Sequence, residues 1–341
     1  MTSMLPKPPA STSYRVREFE ISPAASLAPM EGVTDVVFRR LIREIGGAGL
    51  TYTEFLPSKA IVGNADKVLN SCTFDPDEDP IAIQIYGRDP EVMAEAAQIV
   101  QDLGATIVDI NMGCPAKKVC ANSGGSGLMR EPEVALAIVQ AVRRVVTVPL
   151  TVKMRSGYDL NSRNGATLAY QFQEEGVDAV TFHWRTKMDL YAGERDVSVI
   201  KDAVERLSIP VVANGDIIDV ETAHQMFVDT GCAGVMVGRG AVRDPWLLLK
   251  LKRWMEGGEQ PVIDAQERKR VLLRYHQMIL DTVGSERLAL NRLKMVTKYF
   301  FEPTDDAQVF RKAVLRSQTP EEALDNIHKH FDGVESARLS A

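Results

Sequence analysis

Cysteine is scarce in this chain, and its spacing matches no common metal site. The four cysteines stand at positions 72, 114, 120 and 232, with no CxxC pair among them. This pattern argues against an iron–sulfur cluster, a zinc site or a disulfide framework. Free thiols suit a reducing compartment, so we expect a cytoplasmic protein that needs no metal.

Long apolar runs and dinucleotide-binding glycines are also lacking. No stretch approaches the roughly 18 apolar residues of a membrane-spanning helix, so we expect no membrane association. Residues 1–20 are rich in Pro, Ser and Thr without an apolar segment, which predicts a loose tail rather than a secretion signal. No Gly-x-Gly-x-x-Gly follows the first strand-like segment, which argues against a dinucleotide-binding sheet.

Strand-like and helical patterns alternate through the first 245 residues. Short β-branched apolar segments recur at 25–30, 50–55, 81–86, 106–110, 150–154, 179–183, 211–214 and 234–237. Helical patterns lie between most of them, as at 91–103, 131–145 and 165–176. We therefore predict an α/β fold, a (β/α)8 TIM barrel over residues 21–245, with a doubly wound open sheet as the alternative.

The remainder of the chain has a different character. Amphipathic helical patterns follow one another at 246–255, 264–283, 287–301, 304–316 and 320–331, without strand signals. The segment Glu-Gly-Gly-Glu-Gln-Pro at 256–261 is typical of a linker. We predict a smaller all-helical C-terminal domain over residues 246–335.

Polar residues follow the predicted strands, at the end where a TIM barrel carries its active site. Asn111 and Cys114 belong to the turn Asn-Met-Gly-Cys-Pro after the fourth strand. Other strand ends carry Gln84, Lys153, His183, Arg185, Asn214, Gly215, Asp216, Gly238 and Arg239, and the first strand ends in Ala28, Pro29 and Met30. Polar groups on so many strand ends are hard to explain as packing, and we interpret them as one active site.

The kinds of residue at these positions indicate a flavin. Glycines before helix starts after the seventh and eighth strands leave backbone N–H groups for a phosphate, and Arg239 adds charge. Lys153 can lie beside a ring that gains negative charge, and Gln84 and Asn214 can pair with amide-like ring edges. FMN fits this set. A phosphorylated sugar would use the phosphate site but leave Gln84, Lys153 and His183 without a task.

At these residues the sequence resembles the tRNA-dihydrouridine synthases, particularly the bacterial B-type branch. The matching segments are 28–35, 109–119, 152–157, 183–186, 213–217 and 238–241, in order, within a likeness that runs from about residue 25 to 330. The resemblance implies FMN- and NADPH-dependent reduction of the C5=C6 bond of particular uridines in tRNA, by a monomer without an obligate protein partner. It implies FMN contacts from Ala28, Pro29, Met30, Gln84, Lys153, His183, Asn214, Gly215, Asp216, Gly238 and Arg239.

The same resemblance implies that Asn111 orients the uracil, that Cys114 is the catalytic acid, and that Arg185 and Tyr191 lie on the substrate side. Hydride at C6 leaves charge that needs a proton at C5, and a thiol with a pKa of about 8.5 is largely protonated at neutral pH. We therefore expect no lowering of the Cys114 pKa. Trp184 stands where the family usually has glycine. Its indole either packs under the Arg185 loop or narrows the mouth, and we expect ordinary packing rather than stacking on RNA.

Basic residues concentrate between positions 268 and 298 of a chain whose net charge is −6. Eight Lys or Arg stand there against two acids, with Tyr275 and Tyr299 nearby. This local charge predicts contact with tRNA phosphates from Arg287, Arg292, Lys294 and Lys298. Two alternatives stay open: an FMN oxidoreductase acting on free pyrimidines or dihydroorotate, and a non-catalytic tRNA-binding protein with a vestigial flavin site.

Overall fold

A computed structural model describes residues 5–120, 124–299 and 305–339. Its strands are β1 Tyr14–Val16, β2 Phe19–Ile21, β3 Ala25–Leu27, β4 Thr51–Tyr52, β5 Leu56–Pro57, β6 Ile81–Tyr86, β7 Ile107–Met112, β8 Leu150–Arg155, β9 Ala179–His183, β10 Val211–Asn214 and β11 Gly234–Val237. Its helices up to the end of the barrel are α1 Val36–Ile45, α2 Ser58–Val62, α3 Asp66–Ser71, α4 Pro90–Asp102, α5 Lys117–Cys120, α6 Pro132–Val145, α7 Gly165–Glu174, α8 Ser198–Arg206, α9 Val220–Thr230, α10 Arg239–Arg243 and α11 Leu247–Met255. The helices that follow are α12 Ala265–Val283, α13 Glu286–Tyr299, α14 Asp305–Arg316 and α15 Pro320–Leu339.

Parallel strands close into a barrel. Strands β3, β4 and β6 to β11 pair in sequence order. Ser26 forms a parallel bridge with Leu50, and the Leu27 N–H donates to the Leu50 carbonyl at 3.0 Å. The first strand therefore joins the second as well as the last, which confirms the (β/α)8 barrel and excludes an open sheet.

The helices around the barrel begin and end at residues that cap them. Asp89 accepts hydrogen bonds from the backbone N–H groups of the first turn of α4, which has Pro90 at its first position. Asp219 and Thr222 form a capping box at the start of α9, and Gly231 ends that helix with φ 68°. Such caps set the lengths of the loops that carry the site.

The amino-terminal segment differs from the expected loose tail. Strands β1 and β2 form an antiparallel hairpin in which Tyr14, Val16 and Ile21 are buried. The Tyr14 ring lies against Gly234, where an added Cβ would come within 2.6 Å of a ring carbon. The expectation for residues 1–20 is therefore wrong over residues 14–20, because burial of these side chains at the amino end of the barrel outweighs the polar composition around them.

The C-terminal helices pack against one side of the barrel. Helix α11 contacts α9 and β3 and thus serves as the last barrel helix, so the separate helical unit begins with α12 rather than at residue 246. Helices α12 and α13 contact α1 and α10 respectively. There the ring of Tyr275 meets that of Phe38 edge-on, and Arg274 pairs with Glu44 at 2.6 Å. Within the described residues, no helix has both the length and the apolar character to cross a membrane.

Candidate active site at the carboxyl ends of the barrel strands

A cavity of about 710 Å³ opens at the carboxyl ends of the barrel strands. Its walls contain most residues that the sequence suggested, namely Ala28, Pro29, Met30, Asn111, Cys114, Lys153, His183, Tyr191, Asn214, Gly215, Asp216, Gly238 and Arg239. They come from six βα loops or strand ends that the closed barrel brings to one mouth. The cavity is therefore the candidate active site.

The turn that carries Cys114 is held on several sides. The Asn111 Oδ1 accepts hydrogen bonds from the backbone N–H groups of Gly113 and Cys114, at 3.0 and 2.9 Å. The Ser126 hydroxyl donates to the Cys114 carbonyl at 2.9 Å, and the Arg155 Nε donates to the Gly113 carbonyl at 2.9 Å. These contacts fix the direction of the half-buried thiol, which lines the cavity.

The surroundings of the Cys114 thiol favour its protonated form. Burial raises the pKa of Cys114, and a backbone hydrogen bond at Ala116 opposes this effect in part. The prediction that this pKa is not lowered is confirmed. The Cys120 thiol donates to the Cys114 carbonyl at 3.3 Å.

A buried hydrogen-bond relay lies beneath the Cys114 turn. The Gln84 Nε2 donates to the Asp109 carboxylate at 2.5 Å, and the Asn111 Nδ2 donates to the Gln84 Oε1 at 2.7 Å. Because a carboxylate only accepts, Asp109 forces the orientation of the Gln84 amide, which in turn points the Asn111 Oδ1 at the turn. Gln84 is 0% exposed and lies below the cavity wall, contrary to the expected cofactor contact.

Lys153 and His183 line the cavity among charged neighbours. The Lys153 Nζ donates to the Asn214 Oδ1 at 3.0 Å, and burial, with the nearby charge of Arg155, lowers the pKa of Lys153 to about 8. Burial and the Lys153 charge hold the pKa of His183 well below its usual range. The His183 Nδ1 accepts from the Arg185 N–H at 3.2 Å, so the proton of the neutral ring lies on Nε2.

Glycine turns shape the opposite wall. Gly215 and Asp216 have φ values of 122° and 53°, so the backbone after β10 turns sharply. A Cβ added to Gly238 would lie 3.8 and 3.9 Å from the cavity-lining side chains of Ala28 and Met30. The absence of that Cβ opens a cradle beside the first N–H groups of α10, a geometry that suits a phosphate.

Arg185 and Trp184 lie behind the cavity wall. Arg185 is 6% exposed, donates to the Ala192 carbonyl at 2.7 Å and pairs with Asp216 at 2.7 Å. Its guanidinium stacks 4.0 Å from the centre of the buried Trp184 ring, which confirms the expected packing of that indole. The expectation that Arg185 faces the substrate is wrong, because Asp216 and the indole hold the guanidinium inside the protein.

Only some of the basic residues expected to contact tRNA phosphates have side chains free to do so. Arg287 is exposed and Lys294 is half-buried, and neither has an ion-pair partner among the described residues. Arg292 instead pairs with Asp35 at the start of α1. Tyr275 is fully buried and so cannot contact RNA. The side chains of Lys298 and Tyr299 lie outside the described residues.

Several cavity residues escaped the sequence reasoning. They are Glu31, Phe55, Lys117, Arg155, Ile218 and Arg243. Arg155 could have been found, because it lies two positions after Lys153 in β8 and alternate residues of a strand share a face. The others stand on loops or a short helix, where no periodicity indicates which side chains face the cavity.

The fold and this site define a (β/α)8-barrel enzyme with its active site at the carboxyl face. A morphinone reductase mutant in complex with tetrahydroNAD has a similar fold, with a TM-score of 0.52, 15% identity and coverage of 76% of this chain and 94% of that one. The sequence model "Dihydrouridine synthase (Dus)" matches residues 26–335.

Two relatives extend this match over nearly the whole chain. The tRNA-dihydrouridine synthase B of Pseudomonas aeruginosa is 36% identical over 318 residues, which are 93% of this chain and 95% of that protein. The tRNA-dihydrouridine synthase B of Xanthomonas axonopodis pv. citri is 36% identical over 320 residues, or 94% and 96%. The chain therefore belongs to the dihydrouridine synthase family, of the B type.

Proposed function

We propose that this protein reduces the C5=C6 bond of specific uridines in tRNA to 5,6-dihydrouridine, with FMN as its cofactor and NADPH as the reductant. The observation that carries the proposal is the shared cavity, in which a protonated cysteine faces Lys153, His183, Asn214 and the glycine turns. Membership of the dihydrouridine synthase family supports the same reaction. An enzyme acting on tRNA would work in the cytoplasm, which agrees with the cysteine usage.

The residues of the cavity fit FMN. The cradle at Gly238, the N–H groups at the start of α10 and the Arg239 side chain would hold its phosphate. Lys153, His183 and Asn214 would hold polar edges of its ring system, since these three residues line the same cavity. When bound, FMN supplies hydride to C6 of the uracil.

Cys114 would supply the second hydrogen. The C4 carbonyl of uracil conjugates with the C5=C6 bond, so addition at C6 leaves negative charge that a proton at C5 neutralises. The burial that raises the pKa of Cys114 keeps the thiol in its acid form. Asn111, in the wall beside it, would contact the uracil while its Oδ1 holds the turn of Cys114.

Two groups outside the barrel interior would bind the tRNA. Tyr191 is 60% exposed at the mouth, with the Arg239 guanidinium 4.9 Å from its ring centre, and could stack on a base drawn from the RNA. Arg287 and Lys294 lie on α13, which contacts α10 beside the mouth. Their charges would attract the RNA backbone.

The substrate class is tested with the purified full-length chain. We would record its absorption spectrum with FMN and then supply NADPH with an unmodified tRNA transcript, free uridine or dihydroorotate. The proposal expects flavin bands and dihydrouridine in the tRNA. Turnover of free pyrimidine or dihydroorotate without turnover of tRNA would support a small-molecule oxidoreductase. A colourless protein that binds tRNA even after addition of FMN would indicate a vestigial site.

A further inference from the structure

Three side chains meet on the loops that follow β7, β8 and β9. The Arg130 guanidinium carbon lies 4.5 Å from the centre of the Tyr158 ring, and the Lys187 Nζ lies 4.9 Å from it. The Lys187 Nζ is also 3.4 Å from the Tyr158 hydroxyl oxygen. Two cations thus flank one phenol at the water-exposed rim of the barrel.

Within the described part of the chain, neither Arg130 nor Lys187 has a carboxylate partner. The acids beside them are occupied elsewhere. Asp189 accepts the N–H and hydroxyl of Thr186, Glu131 pairs with Arg88, and Asp159 bonds within its own turn. Like charges held around one ring without a counter-ion leave a position that an anion would occupy favourably.

The cluster belongs to the rim of the active-site cavity. The Lys187 N–H donates to the Gly157 carbonyl at 3.0 Å and the Met188 N–H to the Tyr158 carbonyl at 2.9 Å, so the loops after β8 and β9 form one unit. Leu190 and Tyr191, which follow in the second loop, line the cavity. The Arg130–Tyr158–Lys187 cluster therefore lies only a few residues from the position proposed for the base.

The cluster and the helical unit stand on opposite sides of the mouth. Helices α12 and α13 pack against α1 and α10, which follow β3 and β11. In the closed order of strands, β7 and β8 lie across the barrel from β3 and β11. An RNA held by both regions would therefore cross the cavity.

We propose that Arg130, Tyr158 and Lys187 form a binding site for a backbone phosphate of the tRNA whose uridine enters the cavity. The identity of the RNA rests on the proposed function. The two cations and the phenol supply charge-assisted and neutral hydrogen bonds to phosphate oxygens, and the exposed side chains of Leu160 and Met188 offer apolar contact beside them. Contacts on both sides of the uridine help to offset the cost of removing the base from its stack.

The test compares two double variants of the full chain that each lose two positive charges. Arg130→Ala/Lys187→Ala removes the cations of the cluster. Arg144→Ala/Lys252→Ala is the control, because these side chains are 61% and 41% exposed in the last turns of α6 and α11, at the other end of the barrel. Fluorescence anisotropy of a labelled, unmodified tRNA transcript gives Kd for each between about 50 and 200 mM salt.

We expect the cluster variant to bind about tenfold more weakly and its slope of log Kd against log salt to fall by about one, while the control keeps the wild-type slope. Tyr158→Phe, which removes only the hydroxyl, should weaken binding by about two- to threefold. If the double variant melts at a lower temperature than the wild type, the single variants Arg130→Gln and Lys187→Gln replace it in the test. Each should then show part of the loss of tRNA affinity.

Equal Kd values and salt slopes for the cluster and control variants would overturn this site, as would a wild-type chain that fails to bind tRNA. Loss of binding that leaves the salt slope unchanged would point to a contact other than a phosphate and would also overturn it. Dihydrouridine measured in the same samples separates the two proposals. If the wild type forms no dihydrouridine but binds tRNA more tightly than the cluster variant does, only the proposed reaction is contradicted.

Discussion

Asp109 is buried away from the cavity, but hydrogen bonds through the amides of Gln84 and Asn111 connect its carboxylate to the Cys114 turn. The relay of Asp109, Gln84 and Asn111 allows one arrangement of donors and acceptors, and that arrangement holds the Cys114 turn. The sequence suggested Gln84 and Asn111 as ligand contacts because both lie in or just after predicted barrel strands. It could not show that Gln84 is covered, because the depth of a side chain in the barrel depends on the residues packed around it.

Gln84→Met tests this relay at nearly constant volume. The variant removes the hydrogen bonds that Gln84 makes with the Asp109 Oδ2 and the Asn111 Nδ2. We therefore expect the free energy of unfolding to fall by about 1–3 kcal/mol. We also expect kcat for tRNA to fall more than KM rises, because the Cys114 turn loses its fixed orientation. Urea unfolding and steady-state kinetics measure the two effects. Unchanged kcat would show that the relay does not position Cys114.

Asp109 should also make stability depend on pH. Burial raises its pKa from 3.8 to about 6, so between these values the folded protein binds more protons than the unfolded chain. The free energy of unfolding should therefore fall as pH rises from about 4 to about 6, by up to about 3 kcal/mol from this group. Asp109→Asn removes this contribution. Urea unfolding of both proteins across the range should show the wild type losing stability relative to the variant, and parallel curves would contradict the assignment.

At the scale of elements, the barrel strands could be read from the sequence but the hairpin β1–β2 could not. Each barrel strand is a β-branched apolar segment, and its position follows from that local pattern. The hairpin is short and partly polar, and its order depends on Tyr14 packing against Gly234 at the far end of the barrel sequence. Ion pairs between distant residues could not be predicted from the sequence either. The pairs Arg292–Asp35 and Arg185–Asp216 become visible only in the folded structure.

A double-mutant cycle tests the contact between the hairpin and β11. Gly234→Ala places a methyl group against the Tyr14 ring and should lower the free energy of unfolding by about 1–3 kcal/mol. In a Tyr14→Ala background the ring is gone, so the same substitution should cost less, with the remainder due to the Ala24 carbonyl 3.0 Å away. Additive effects of the two substitutions would mean that the hairpin does not pack there.

At the scale of the whole molecule, the barrel and the helical unit are joined by an apolar contact between Phe38 and Tyr275, with ion pairs around it. The Tyr275 hydroxyl is buried without a hydrogen-bond partner among the described residues. Tyr275→Phe should therefore leave the free energy of unfolding unchanged or raise it by about 1 kcal/mol, and leave the Kd for tRNA unchanged. Thermal unfolding and anisotropy check both. If Tyr275→Phe binds tRNA more weakly than the wild type, Tyr275 contacts RNA after all, contrary to what its burial indicates.

The central claim is that Cys114 donates the proton that completes reduction of a tRNA uridine. The most direct measurement is the amount of dihydrouridine, determined by mass spectrometry of digested tRNA, that the FMN-loaded enzyme forms with NADPH. We expect Cys114→Ala to form at least about a hundredfold less than the wild type, the usual minimum contribution of a general acid, while Cys120→Ser stays near the wild type. Dihydrouridine formed by Cys114→Ala at the wild-type rate, with FMN and tRNA still bound, would contradict the account.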